Sequence, residues 1–405
     1  MKKFEIAQYA YGHVPFYQNQ MSEMPGRWEE IPTVSRKRMS EHMDQNLSPE
    51  YMMDYLGGRL DFVMTSGSTG QCLTVYWDSS QRTKSLLPLW MMRKKYYGIT
   101  PKSRRCYFFT TKVIDNRMID REKSKYGLGF SKQGLSTDKI VTVYKEMMRF
   151  EPEWLLLQPS MARLLVYAAK ENHLPPLETV RYIELTGERI PDGARREIKG
   201  FFGCPVASQY GCYEVNSIAY ECPCGNMHVM EENVFLEVLN PEQKSVWDEE
   251  GELYLTSLQN KVMPFIRYQV GDRGRVRDGS RCSCGNPAPI VELTEARNND
   301  FIMNEDGSSF HSDILAHAVE MTNLVLEFSI VQYQMVQKGY SDFDIFLVLD
   351  DESEKNEAVR LFLQSLGTFS EGRNFHFYFP ACLLPGEVTG KLAWFVSEVN
   401  REDKC

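Results

Sequence analysis

A chain of 405 residues exceeds what one hydrophobic core usually organises, so a large domain with a smaller partner is expected. Apolar residues make up 42% and charged residues 25%, ordinary globular values that exclude a disordered or fibrous chain. A net charge of -9 speaks against generic nucleic-acid binding, and no apolar run approaches the roughly 20 residues needed to span a bilayer.

The first 60 residues are polar, rich in Met and broken by Pro15, Pro25, Pro32 and Pro49, which predicts short helices and loops wrapped on a core. Phe62-Val63-Met64 then leads into Thr65-Ser66-Gly67-Ser68-Thr69-Gly70, and Leu73 to Trp77 follows as a β-prone run, so the loop is expected to join two strands of a hairpin. Two glycines and four hydroxyls in six residues suit contact with phosphate, because the backbone N–H groups approach an anion closely and the hydroxyls add rotatable donors. The spacing is neither the P-loop nor the G-x-G-x-x-G pattern. A Ser/Thr/Gly surface turn would look the same on these residues alone.

Strand and helix patterns then alternate: helix from Ser80 to Tyr97 despite Pro88, strand from Cys106 to Thr110, helix from Ile140 to Phe150. A buried strand from Trp154 to Leu157, a helix from Ser160 to Glu171 with a Ser N-cap, and a strand from Val180 to Leu185 follow. This alternation predicts a layered α/β domain with ligands at the C-terminal ends of the strands. From about Phe235 the pattern turns to short strands, at 235–238, 252–255 and 264–268. After Arg297 a second change gives helix 314–326, strands 328–336 and 342–349, a helix carrying Val359, Phe362, Leu363 and Leu366 on one face, and a strand near 375–379. The fold class expected is α/β: a large layered N-terminal domain over 1–297 with a β-rich subdomain at about 220–295, joined by a hinge to a small α+β domain over 298–405.

Six segments in this order resemble the adenylate-forming (acyl-CoA synthetase-like) superfamily, and within it the phenylacetate–CoA ligase and capsule-biosynthesis type of branch. They are the loop Thr65 to Gly70, Thr186-Gly187-Glu188, Gln209-Tyr210-Gly211-Cys212-Tyr213-Glu214, Tyr268-Gln269-Val270-Gly271-Asp272, Arg297-Asn298-Asn299-Asp300 and Gly390-Lys391. The resemblance implies that the loop (Thr65, Ser66, Gly67, Ser68, Thr69, Gly70) closes on the ATP β- and γ-phosphates, and that Gly187, Glu188, Gln209, Tyr210 and Gly211 flank adenine. It implies further that Glu214 holds Mg²⁺ and is catalytic with Lys391 of the small domain, that Asp272 holds the ribose hydroxyls, that Arg297 binds the nucleotide at the start of the hinge segment, and that Asn299 is the hinge. Each role has a physical basis: a carboxylate is the hard ligand Mg²⁺ prefers and a two-oxygen acceptor for vicinal hydroxyls, while an ammonium neutralises charge on the reacting phosphate. Gln71-Cys72 stands where the family often has lysine.

The resemblance implies ATP- and Mg²⁺-dependent activation of a carboxylic acid, aryl or small and hydrophobic, to an acyl-adenylate, then transfer to the thiol of coenzyme A. Two alternatives stay open: transfer to a carrier-protein thiol or another acceptor in capsule or secondary-metabolite assembly, and a zinc-stabilised nucleotide-binding protein without catalysis. A homodimer is admitted, and no nucleic acid or membrane insertion is expected. Phe108, Phe109, Tyr210 and Tyr213 are candidates for an aryl pocket or for plain core.

Ten cysteines without a secretion signal point to reduced thiols or metal and a cytoplasmic location. Six are single, but Cys222-Pro223-Cys224-Gly225 with His228, and Cys282-Ser283-Cys284-Gly285, offer five ligands where a closed tetrahedral zinc site takes four. Structural zinc is the expectation here, with the choice of four among the five left open.

Overall fold

The computed structural model describes residues 2–20, 23–64, 73–109, 113–114, 117–118, 120–132, 137–188, 190, 192–295, 301–306, 309–326, 329–349, 351–383 and 393–399. The chain divides into two compact units, one of Met1–Pro101 with Ala207–Arg297 and one of Lys102–Val206 with Asn298–Cys405. The expected α/β class with its β-rich portion and a smaller C-terminal α/β part is what is found.

In the first unit an antiparallel sheet runs in the order Ser245–Val246, Val234–Leu239, Glu250–Ser257, Tyr268–Arg277, Ile290–Glu295, Met227–Val229, Ala219–Glu221, Val206–Tyr210. Alternation fixes its register: Leu236 lies opposite Leu255 and Val238 opposite Leu253, all buried on one face. The N-terminal segment covers that core as expected, with Ile6, Ala10, Val14, Phe16, Trp28 and Ile31 buried in the same cluster as Leu253, Phe265 and Tyr268. Each large apolar side chain so buried contributes about 1.5–3 kcal/mol.

A buried ion pair pins this wrapping. The Glu237 carboxylate accepts from Trp28 Nε1 at 3.2 Å and from Arg267 Nε at 3.0 Å, and Arg267 Nη1 donates to the Ile31 carbonyl at 2.6 Å. Arg267 has φ 46°, so the expected strand over 264–268 instead begins at Tyr268, where the extended chain resumes. The hairpin expected around residues 65–72 has its two strands in place, Asp61–Met64 paired with Thr74–Trp77, while the loop itself lies outside the described residues. The helix Ser79–Tyr97 is opened by Asp78, whose carboxylate accepts from the Gln81 N–H, and closed by Gly98 at φ 64°.

In the second unit Tyr182–Thr186, Trp154–Leu157, Arg105–Phe109 and Gly127–Ser131 form a parallel sheet, closed at one edge by antiparallel Arg121–Lys123. Helices Thr137–Phe150, Pro159–Glu171 and Asp192–Phe202 bury their apolar residues in the same cluster as these strands. The helix expected to start with a Ser160 N-cap starts one residue earlier: Gln158 holds the cap position, Pro159 is the first helical residue, and Ser160 is already inside. This unit also holds a four-stranded sheet ordered Asn374–Tyr378, Asp342–Leu349, Ile330–Gln337, Phe395–Ser397, with helices Asp313–Val325 and Lys355–Leu366 contributing to its core. Arg163 joins its parts, pairing with Glu197 at 3.3 Å and donating to the Ile330 carbonyl at 2.7 Å. Among the described residues no helix is long and apolar enough to cross a membrane.

Candidate active site and metal centre

Strand Val206–Tyr210 ends at a tight loop over 211–217 that carries Glu214. Gly211 is required at its start, because a Cβ there would lie 2.2 Å from the Asn216 carbonyl oxygen. Gln209 Nε2 donates to that same carbonyl at 3.3 Å, and Asn216 takes the left-handed conformation (φ 63°) while its amide donates to Ser85 Oγ at 2.7 Å. Buried Asn233 closes the loop from beneath, its Nδ2 donating to the carbonyls of Val215 and Ser217 at 2.7 and 2.6 Å. Gln209 and Gly211 therefore shape the loop that presents Tyr210 and Glu214.

Asp272 is positioned by an irregularity in the pairing of strands Glu250–Ser257 and Tyr268–Arg277. Glu252 pairs with Arg273 and Tyr254 with Gln269, so Leu253 alone faces 270–272, and Gly271 adopts φ 90° inside this bulge. Two segments singled out in the sequence then bond reciprocally. Tyr210 Oη, from the first, donates to Asp272 of the second at 2.6 Å; Tyr268 Oη, from the second, donates to Glu214 of the first at 2.7 Å.

Glu214 is 1% exposed, and its Oε1 accepts from both Tyr268 and Arg36 Nη2, the latter at 3.1 Å. Among the described residues Oε2 of Glu214 is buried with no hydrogen-bond partner. Such an orphan acceptor costs about 1–3 kcal/mol, so it marks a place where a further donor or a cation belongs. Burial and the neighbouring Glu214 drive the Tyr268 hydroxyl well above its usual range, so it serves as a fixed donor. Burial and Glu214 likewise push the Cys212 thiol up, which keeps it neutral beside the carboxylate. Burial opposes the charge on Arg36, but Tyr268 and Glu214 outweigh it and hold the guanidinium above its ordinary value.

Arg36 escaped the sequence reading. It is the first residue of helix Arg36–Glu41, capped by Ser35, whose Oγ accepts from the Arg38 N–H at 3.2 Å. The placement comes from Val34: its N–H donates to Arg267 O at 3.0 Å and its carbonyl accepts from Gln269 N–H at 2.8 Å, so the segment docks in register alongside Tyr268. The only local sign was a Ser N-cap before a basic helix, which fits countless surface helices.

In the second unit Gly187 follows its strand at φ 83°, and Glu188 turns back to cap the helix Pro159–Glu171: Oε2 accepts from Ser160 N–H at 3.0 Å and Oε1 from Ser160 Oγ at 2.9 Å. Phe108 lies in the core against Phe130, ring centroids 5.9 Å apart, whereas Tyr213 is 47% exposed. Thr65 to Gly70, Arg297, Asn299 and Lys391 lie outside the described residues.

The cysteine pairs do converge. Sulfur and imidazole atoms of Cys222, His228, Cys282 and Cys284 lie within 4.8 Å of one another, while exposed Cys224 turns aside, its Sγ 3.1 Å from Ser283 Oγ. Each knuckle needs its glycine: Gly225 at φ 81° and Gly285 at φ 75° return their N–H groups to the carbonyls of Cys222 and Cys282. His228 Nδ1 lies 2.9 Å from the Ala288 carbonyl, an acceptor only, so this nitrogen carries the proton and Nε2 offers its lone pair 3.3 Å from Cys284 Sγ. The Cys222–Cys282 separation of 3.8 Å matches the edge of about 3.8 Å in a tetrahedron with metal–sulfur bonds of about 2.3 Å. Backbone N–H donation at Cys284 lowers the Cys282 thiol to about 6, whereas burial raises that of Cys222 to about 12. The donor set and its spacing fit a closed zinc site.

No family model matches the chain. It is 20% identical over 377 residues to Protein CapK of Staphylococcus aureus, covering 92% of this chain and 80% of that protein. It is 23% identical over 189 residues to the phenylacetate-coenzyme A ligase of Thermus thermophilus, covering 45% of this chain and 42% of that protein. Among solved structures, 2-hydroxyisobutyryl-CoA ligase in the postadenylation state with R3-HIB-AMP superposes with a TM-score of 0.73 at 15% identity, covering 98% of this chain and 88% of that one.

Proposed function

We propose that this chain, whose fold is that of the adenylate-forming, acyl-CoA synthetase-like superfamily, is an AMP-forming acid–thiol ligase. It activates a carboxylic acid with ATP, releasing pyrophosphate, and passes the acyl group from the adenylate to the thiol of coenzyme A. The observation that carries this reading is the reciprocal pairing of Tyr210 with Asp272 and Tyr268 with Glu214. It sets two carboxylates, one suited to ribose hydroxyls and one to a divalent cation, on adjoining loops of a single unit.

Glu214 is the residue we assign to Mg²⁺, on the strength of its orphaned Oε2. When bound, the ion supplies charge neutralisation at the triphosphate. The chain's own residues do the rest. Asp272 orients the ribose, Gly211 lets the backbone close on the nucleotide, Thr65 to Gly70 hold the β- and γ-phosphates, and Gly187 with Glu188 shape the adenine side. Lys391, carried by the domain that follows the hinge at Arg297 and Asn299, offsets charge as the substrate carboxylate attacks the α-phosphate. We assign structural zinc to Cys222, His228, Cys282 and Cys284, a set of four that leaves no open position for catalysis, with Cys224 left out. Reduced thiols of this kind suit the cytoplasm.

The acid we assign is aryl or otherwise small and hydrophobic, supported by the likeness to a phenylacetate-coenzyme A ligase. Acid-dependent exchange of pyrophosphate into ATP, measured across a panel of carboxylic acids, tests the reading, followed by mass spectrometry of the product formed with CoA or with carrier protein. Exchange with aryl or short hydrophobic acids and an acyl-CoA product are expected. ATP binding without exchange for any acid sinks the ligase reading, and a product seen only on a carrier thiol replaces the acceptor.

A further inference from the structure

We infer that Arg36 is a positioning residue of the adenylation site, acting through Glu214. The inference rests on the assignment of Glu214 to a divalent cation and concerns how that carboxylate is held. Arg36 makes a two-pronged contact, Nε donating to Tyr268 Oη at 3.1 Å and Nη2 to Glu214 Oε1 at 3.1 Å, while Tyr268 Oη donates to that same oxygen at 2.7 Å. The three side chains form a closed triangle in which the bonds from Arg36 and Tyr268 both fall on Oε1 of Glu214. Oε2 is buried and left without a partner among the described residues. A carboxylate anchored through one oxygen presents its other oxygen from a fixed position.

Two effects of Arg36 on cation binding oppose each other. Its positive charge beside Glu214 repels a second cation, a divalent one all the more, across the distance set by the intervening carboxylate. Against this, a carboxylate that is 1% exposed keeps the orientation a cation needs only while its two donors hold Oε1 in place. The positioning effect decides the outcome, because without Arg36 the Glu214 side chain relaxes out of the orientation that binding requires. Arg36 is itself firmly held, since Ser35 caps its helix and Val34 bonds on both sides to the backbone flanking Tyr268.

The test uses the full chain with zinc bound, Mn²⁺ as the probe, and a non-hydrolysable ATP analogue, with free Mn²⁺ counted by electron paramagnetic resonance. Replacing the partners that orient a metal ligand typically costs 10–100-fold in affinity, so Arg36→Met should weaken Mn²⁺ by that factor. Arg36→Lys, which restores charge but reaches only one of the two oxygens, should recover part of the loss. Tyr268→Phe, isosteric and apolar, should weaken Mn²⁺ about fivefold through one lost hydrogen bond, and it decides the matter if Arg36→Met fails to show a native circular dichroism spectrum and full zinc content. Affinity within twofold of the parent protein for natively folded Arg36→Met, or for Tyr268→Phe in its stead, overturns the inference. Parental Mn²⁺ affinity in Glu214→Gln overturns instead the assignment of Glu214 to the cation, and so separates failure of the premise from failure of the step built on it.

Discussion

Neighbouring thiols in the cysteine cluster are driven in opposite directions by their immediate surroundings. Cys282 sits where the Cys284 N–H and the His228 and Asn226 side chains favour a thiolate, lowering it to about 6, whereas burial raises Cys222 to about 12. In zinc-free protein at pH 7 the first is therefore mostly ionised and the second is not. Because thiolates are the nucleophiles, iodoacetamide should label Cys282 well ahead of Cys222, and the Cys282 rate should fall only as pH drops through about 6. Peptide mass spectrometry after timed labelling of a Cys224→Ser variant measures both rates. A Cys282 rate that still climbs tenfold from pH 7 to pH 8 would show an ordinary thiol and remove the local explanation.

At the scale of elements, the Cys/His cluster and the loop over 211–217 are joined through neighbouring strands. Cys222 and His228 bracket the turn between strands Ala219–Glu221 and Met227–Val229, and the first of these strands pairs Tyr220 with Gln209 and Ala219 with Tyr210. The proposed zinc, by tying this turn to Cys282 and Cys284, would hold the strand on which Tyr210 depends. The purified protein should carry one zinc per chain, retained in Cys224→Ser and lost in Cys222→Ser or His228→Ala, as read by elemental analysis. A ligand present at a thousand times its dissociation constant adds about 4 kcal/mol to stability, so chelation should lower the unfolding midpoint visibly and weaken ATP binding with it. Zinc retained by Cys222→Ser but lost from Cys224→Ser would reverse the choice among the five candidates. Much of this element scale was legible in the sequence: Trp154–Leu157 and Asp342–Leu349 have the bounds their apolar patterns predict, because each is a run whose burial is set by its own side chains. Three-residue strands such as Ala219–Glu221 carry no period to read, and Pro264 to Arg267 reads as a strand until a buried ion pair forces Arg267 to positive φ. The motif segments could be singled out in chain order, but not the cross-bonding of their tyrosines or the arrival of Arg36, since these depend on a bulge at Gly271 and on docking of a segment more than 170 residues away (178 between Arg36 and Glu214). Which of five ligands converge was equally a matter of knuckle geometry, set by two glycines at positive φ.

Considered as a whole molecule, the proposed reaction poses a charge problem. Attack of a carboxylate on the α-phosphate brings anions together, and the described site contributes two further carboxylates, Glu214 and Asp272. Arg36 is committed to Glu214 and Tyr268, and the glycine-rich loop is followed by Gln71-Cys72 rather than lysine. In the proposed reaction the divalent ion and Lys391 are the cations assigned to the reacting phosphate. Removing one preorganised charge of this kind typically costs 10²–10³ in rate, about 2.7–4 kcal/mol. Lys391→Ala should accordingly depress acid-dependent pyrophosphate exchange by about that factor. Thioester formation from a synthetic acyl-adenylate and CoA involves no attack on the α-phosphate, so it should run within a few-fold of the parent rate in the same variant. Rapid-quench measurement of the two half-reactions separates them, and an equal loss in both would show that Lys391 supports the fold or the binding of AMP rather than the chemistry of the first step.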